Sequence, residues 1–348
     1  MKEYLLKEIA NVKNGYAFDS SKYSDKGIPI IRIADIKDNI DLSKCVCIDE
    51  EINKEFLIKK GSLLIALSGA TTGKMSVFSD NKIAYLNQRI CSIYTKNEDI
   101  SQEFLIYFLK SIQKKIIVNS YGGAQPNISS KWIENIKIKV PNIKIQKKIS
   151  KKLELLANNI NSRKSQLVFL KELTKSLFTT MFGDIKTNDK NWEIYYWKDV
   201  LNIKNGKNQK QVEDINGKYP IYGSGGIIGR SNAYICNENS IIIGRKGNIN
   251  KPILVKEKFW NVDTAFGLEV KSEKMSYHYL YYFCLFYDFE IHNKAVTIPS
   301  LVKSDLEKIV LPVPPIELQN KFAERVEKIE KLSFNLYWTM KKKGVEKN

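Results

Sequence analysis

The chain is written twice, and no other feature limits its fold as tightly. Residues 7–15 read KEIANVKNG and residues 198–206 read KDVLNIKNG, an offset of 191. At the same offset Ile28-Pro29-Ile30 matches Tyr219-Pro220-Ile221. GSLLI at 61–65 then parallels NSIII at 239–243, with the offset reduced to 178. NISSKWIENIKIKVP (127–141) parallels SLVKSDLEKIVLPVP (300–314) at an offset of 173, and each is followed by I-x-x-Q, Ile143 to Gln146 and Ile316 to Gln319. The order of matches is kept while the offset drifts, as it does in two copies of one module with different loop lengths. Two long copies do not make a solenoid, which stacks more and shorter units. The expectation is a pseudo-symmetric pair of domains.

Each copy opens with short β-rich runs: GIPIIRIADI (27–36), SLLIAL (62–67) and RICSIY (89–94) in the first, SIIIG (240–244) and FGLEV (266–270) in the second. Short helices are expected at 104–112 and 277–286. The mixture predicts α+β globular domains. Each copy closes with a long helix. After Pro141 a 4-3 spacing runs through Ile149, Leu153, Leu156, Ile160, Arg163, Leu167, Leu170, Thr174, Leu177 and Met181. After Pro315 it runs through Leu318, Phe322, Arg325, Ile329, Leu332 and Leu336. Apolar residues at this period form a coiled-coil seam. The prolines suit helix starts, and Gly183 and Gly344 suit helix stops. The predicted fold is thus two globular domains separated by a long antiparallel two-helix coiled coil. The boundaries are 1–141 for the first domain, 142–183 for the central helix, 184–194 for a polar linker, 195–313 for the second domain and 314–344 for the C-terminal helix.

Lys and Arg number 56 against 38 Asp and Glu, a formal charge of +18. Such a balance points to a polyanionic partner. No apolar run approaches the roughly 20 residues that span a bilayer, and residues 1–15 carry no signal-peptide stretch. A cytoplasmic chain without membrane contact is expected. Cys45 and Cys47 form a lone C-x-C, while Cys91, Cys236 and Cys284 are scattered, so zinc-finger spacing is missing and a disulfide scaffold is not expected. GATTGKM (69–75) is one residue short of a Walker A loop and has Met75 in place of the magnesium-binding Ser or Thr. GSGGIIG (223–229) has Ile228 at the third glycine position of G-x-G-x-x-G, and reads as turn glycines or as a close approach to a phosphate backbone. No N/D-P-P-Y/F tetrapeptide of the amino-methyltransferases is present, and His278 and His292 lack an evident nucleophile. No catalytic, cofactor-binding or metal-binding residues are therefore expected.

Binding features are more numerous. Lys74, Asn87, Gln88, Arg89 and Gln125 lie beside Gly-rich or turn segments of the first copy; Arg230, Arg245, Lys246, Asn248, Lys251 and Lys294 do so in the second. Arg and Lys read guanine, Asn and Gln read adenine, and Lys neutralises phosphates. Singly, each reads more readily as a solvated surface residue; as a set on loops of a basic chain they point to nucleic acid. Lys74, Gln88 and Arg89 are expected at one half of a DNA site, and Arg230, Arg245 and Lys246 at the other.

Several motifs carry a family resemblance. These are NGYAFDSSKYSDKGIPIIRIADI (14–36), GGAQPNISSKWIENIKIKVPNIKIQKKI (122–149), SLFTTMFGD (176–184), YPIYGSGGIIGRSNAY (219–234), GRKGNINKP (244–252) and LPVPPIELQNKF (311–322). Across nearly the whole length the chain resembles the specificity (S) subunit of type I restriction–modification enzymes. The twice-present V-P-x-I-x-x-Q is the most specific motif, although Asn142 replaces its second proline in the first copy. The resemblance implies two target-recognition domains, each reading one half of a bipartite, asymmetric double-stranded DNA site, with antiparallel helices as the ruler for the spacer. Two-fold-related readers would meet one groove face at multiples of a helical turn, roughly 34–36 Å. It also implies two modification (M) subunits, which use S-adenosylmethionine, and restriction (R) subunits, which use ATP and Mg. The chain itself would carry no cofactor and no catalysis. A recognition subunit of a type IIB-like enzyme remains open at this point, as does a coiled-coil protein scaffold.

Overall fold

The computed structural model describes residues 1–120, 126–295 and 297–342. Gln125 and Gly344 lie outside them. Two compact units divide the chain, 1–159 and 160–348.

The repeat is a structural repeat, strand for strand. In the first unit a four-stranded antiparallel sheet runs in the order Ala10–Asn14, Ile90–Thr95, Leu63–Ala66, Met75–Val77. In the second the order is Leu201–Asn205, Ala265–Val270, Ser240–Gly244, Ile253–Val255. Beside each lies a three-stranded sheet with one parallel pairing. Ile28–Ile31 sits between Cys47–Ile48 and Tyr85–Leu86; Tyr219–Gly223 sits between Gly226–Ser231 and Trp260–Asn261. A third pairing ties the start of each domain to its end: Lys2–Leu5 with Lys137–Val140, and Glu193–Tyr196 with Val310–Val313. The second strand of this kind begins inside the segment 184–194, where polarity alone suggested a linker. Ile194 pairs with Pro312 there.

The strand runs fold where apolar side chains can be buried on both faces. Leu63, Leu64, Ile65 and Ala66 are fully buried, as are Ile241, Ile242 and Ile243. The run 27–36 keeps only Ile28–Ile31 as strand and tightens into a 3-10 turn at Ile33–Asp35. The short helices are Gln102–Ser111, continued by Gln113–Val118, and Tyr277–Phe286. Ser101 and Ser276 cap the two equivalent helices by accepting from the N–H groups of Phe104 and Tyr279. The repeated K-N-G has a steric reason. A Cβ at Gly15 would run into the carbonyl of Leu86, and one at Gly206 into that of Val262.

The repeated I-x-x-Q fastens each long helix to its own domain. Gln146, on the helix Ile143–Phe182, accepts from the Ser101 N–H (2.8 Å) and donates to the carbonyls of Asp99 (2.9 Å) and Pro141 (2.9 Å). Gln319, on the helix Ile316–Lys342, accepts from the Ser276 N–H (2.8 Å) and donates to Lys274 (2.8 Å) and Pro314 (2.7 Å). Both side chains are buried. Only a neutral amide offers one acceptor and two donors at one terminus.

In the second unit, residues 160–182 run antiparallel to the C-terminal helix. Arg163 donates to Thr339 near one end, and Phe182 packs on Phe322 at the other, ring centroids 5.0 Å apart. SLFTTMFGD is explained here. Phe178 and Phe182 enter the domain core against Tyr279 and Phe322. Gly183 then ends the helix at φ +82°, and the Trp192 indole N–H donates to the Phe182 carbonyl (2.8 Å).

The seam needs correction in two places. Ile160, Leu167, Leu170 and Leu177 are half-buried on the central helix, with the 4-3 spacing kept. Ile149 and Leu153 are each 36% exposed and Leu156 is 51% exposed, so the seam is only partly covered there. On the C-terminal helix Leu318, Ile329 and Leu336 are half-buried and Phe322 is buried, but Leu332 is 56% exposed. The inward stripe there is 318, 322, 326, 329, 333, 336, 340, six steps over 22 residues. It follows the natural twist of a straight helix, so Val326 and Ser333 replace Arg325 and Leu332.

Candidate nucleic-acid interface

Three loops meet at one end of the large sheet in each domain, stitched by the same main-chain bonds. In the first, Leu67 N–H donates to the Arg89 carbonyl (2.8 Å), Ile128 N–H to Leu67 (2.8 Å) and Gly69 N–H to Pro126 (3.2 Å), while Ser68 bridges Asn127. In the second, Arg245 N–H donates to Thr264 (2.8 Å), Leu301 N–H to Arg245 (2.9 Å) and Gly247 N–H to Pro299 (2.9 Å), while Lys246 bridges Ser300. Leu67 and Arg245 therefore occupy one place, as do Ser68 and Lys246, Gly69 and Gly247, and Arg89 and Thr264. Gly69 and Gly247 have φ of +83° and +80°, so glycine is set by the backbone here. GATTGKM is this turn: the Thr72 hydroxyl donates to the Gly69 carbonyl (2.6 Å) and, more weakly placed, to that of Pro126 (3.0 Å).

The side chains on this common frame differ. The first domain exposes Gln88, Arg89 and Lys74; Asn87 is half-buried, and its Oδ1 accepts from the Arg89 N–H (3.3 Å). Lys74 also lines a polar hollow of about 550 Å³, together with Lys37, Asp38, Lys110 and Gln113 among others. The Gln113 amide holds it shut at one side by donating to the Gly73 carbonyl (2.8 Å). The second domain exposes Arg245, Lys246 and Asn248. Its hairpin Tyr219–Gly223 to Gly226–Ser231 carries GSGGIIG and brings its tip to the same place. A Cβ at Gly225 would stand 3.6 Å from the Asn248 amide nitrogen, and one at Gly247 would stand 3.9 Å from the Ser224 hydroxyl. Gly226 has φ +124° and open space around it, so a turn rather than a close approach requires it.

Three positions behave differently from the rest. Arg230 donates from Nε to the Gly217 carbonyl (2.6 Å) and from Nη2 to that of Lys218 (2.8 Å). Its guanidinium is a staple for the preceding loop, and it pairs with Pro220, away from the hairpin tip. Lys294 reaches the junction through its main chain, donating to the Ser300 carbonyl (3.1 Å), but its ammonium is 3.2 Å from the Asp305 carboxylate. Lys251 is exposed; its neighbour Asn250 pins the segment by donating to Asp288 (3.0 Å) and accepting from the Phe289 N–H (2.7 Å).

The model of the type I restriction modification DNA specificity domain matches this chain twice, at residues 1–169 and 189–343. The chain belongs to that family. It is 24% identical over 327 residues to the type I restriction enzyme MjaVIII specificity subunit of Methanocaldococcus jannaschii, covering 80% of this chain and 75% of that one. It is 23% identical over 368 residues to the putative MjaX specificity subunit of the same organism, covering 94% and 86%. The type I system S subunit from M. genitalium superposes with a TM-score of 0.64 at 16% identity, covering 98% and 92%. A chain from a study of complex assembly and conformational transition in the type I system superposes at 0.55 and 14%, covering 98% and 93%. These likenesses confirm the fold read from the repeat: two sheet-containing α+β domains and a long helix.

The cysteine and histidine side chains are buried or half-buried. All five cysteines are buried. Burial pushes the Cys45 thiol up to about 11, and those of Cys91 and Cys236 up to about 12. His292 Nε2 lies 2.7 Å from the Tyr287 hydroxyl, and burial lowers the pKa of His278. Among the described residues no group of three metal-ligating side chains is present, and no helix is long and apolar enough to cross a membrane. Sequence reading missed Lys37 and Lys110. They stand 73 residues apart and away from the glycine-rich turns, and only the fold brings them to one hollow.

Proposed function

We propose that this chain is the DNA-recognition subunit of a type I restriction–modification complex, non-catalytic in itself. Each domain reads one half of a bipartite, asymmetric double-stranded site. The carrying observation is the three-loop junction, built twice on one main-chain frame with different side chains. A constant frame holds the register, and the variable side chains specify the word. Chemistry is delegated: M subunits bring S-adenosylmethionine and R subunits bring ATP and Mg. The groove of about 730 Å³ between residues 166–176 and Leu332–Leu336, with Phe169 65% and Leu173 52% exposed, offers an apolar face for M-subunit docking.

The test is methylome sequencing of a host that expresses the chain with its modification subunit. The expected result is two short words around a fixed spacer, methylated at adenine on both strands. Exchange of residues 195–313 changes one word and leaves the other. No motif with an active modification subunit refutes the proposal.

A further inference from the structure

We infer that Gln88 and Asp263 are the paired base-reading positions of the two domains, and that Asp263 selects a G·C pair in the word read by the second. This rests on the recognition role proposed above. The equivalence comes from the backbone. Ile31 pairs with Leu86 and Tyr222 with Asn261 in the two parallel ladders. Ile90 N–H then donates to the Asn87 carbonyl (3.0 Å), and Ala265 N–H to that of Val262 (2.9 Å). Between these fixed points Gln88 and Arg89 correspond to Asp263 and Thr264, one residue for one. Both Gln88 and Asp263 are exposed.

An exposed carboxylate here needs a reason. Asp263 sits in a chain of charge +18, next to Arg245 and Lys246, on the junction where phosphates would be drawn. Arg245 does not neutralise it directly; its guanidinium reaches the Asp263 main-chain carbonyl (3.4 Å). Against a phosphate backbone the carboxylate is repelled. Against a base edge it is an acceptor without a donor, and this restricts its partners. Cytosine's own major-groove edge offers an N4 amine and no acceptor; adenine's own edge sets its N6 amine beside the N7 acceptor, and guanine and thymine present acceptors. In the minor groove the guanine N2 amine is the single donor. Either groove therefore yields a G·C pair. Gln88, with donor and acceptor together, matches the N6 and N7 of adenine. Identical backbone with amide in one domain and carboxylate in the other is how one frame reads two different words.

The experiment uses the S–M complex with Asp263→Asn and, separately, Gln88→Ala. The wild-type word of the second domain is expected to contain an invariant G·C pair. Asp263→Asn relaxes that one position, with discrimination falling roughly ten- to a hundredfold, while the spacer and the first word stay unchanged. Gln88→Ala relaxes one position of the first word only. Competition binding with duplexes carrying all four base pairs at each position covers a variant too weak to methylate. An unchanged motif in Asp263→Asn, or equal weakening against every base pair, overturns the inference. A wild-type complex with no bipartite motif instead overturns the recognition role beneath it.

Discussion

Replacing Gln319 by Ala should unfasten the C-terminal helix from the second domain. The side chain makes three hydrogen bonds, to Ser276 N–H, Lys274 carbonyl and Pro314 carbonyl, at 2.7–2.8 Å in a buried site. Each contributes about 1 kcal/mol net, and a stranded buried N–H costs about 1–3 kcal/mol more. These sum to about 4–6 kcal/mol, and partial hydration of the vacated site lowers the expected loss to about 3–5 kcal/mol. In urea, at a slope of roughly 2–3 kcal/mol/M, the midpoint drops by about 1–2 M. Hydrogen exchange gives the local readout. The Ser276 amide loses protection in Gln319→Ala, and the Ser101 amide does so in Gln146→Ala, each in its own domain. Neighbouring Asn320 is exposed, and Asn320→Ala should stay within about 0.5 kcal/mol. A Gln319→Ala cost below about 1 kcal/mol, or Ser276 protection unchanged, refutes the claim that this glutamine is the fastening.

Neutralising Lys37 and Lys110 to Gln in the S–M complex should lower the slope of log affinity against log salt by about 0.9 for each phosphate left without its lysine, with sequence preference intact; titration at graded salt checks it. Gly15→Ala and Gly206→Ala each drive a Cβ into a neighbouring carbonyl and should cost more than about 2 kcal/mol, read as a fall in thermal midpoint. Arg230→Ala frees the Gly217 and Lys218 carbonyls; it should loosen the loop at 214–218, seen as faster exchange of the Gly217 amide, without altering the methylated motif. The Cys45, Cys91 and Cys236 thiols should resist iodoacetamide in native protein at pH 8. Their raised pKa values keep them protonated until far higher pH.

The sequence by itself determined the two-copy plan, two of the four large-sheet strands in each domain, the helix after each V-P and the basic balance. These are local or periodic properties, carried by runs such as Ser240–Gly244 or by heptad spacing, and they need no partner segment to be recognised. It flagged the two glutamines as a motif without revealing why an amide is required. That reason lies in carbonyls and N–H groups 43 to 47 residues away. Placement of single basic residues was less legible. Arg230 and Arg245 look alike beside their glycines, yet one guanidinium closes on its own loop and the other stays at the junction, because hydrogen-bond partners are set by tertiary neighbours. Ile149, Leu153 and Leu156 continue the seam in sequence, but a seam is buried only where another surface meets it. Asp263 carried no signal at all: its meaning depends on the parallel ladder that aligns it with Gln88, and pairings between distant strands exist only once the chain has folded.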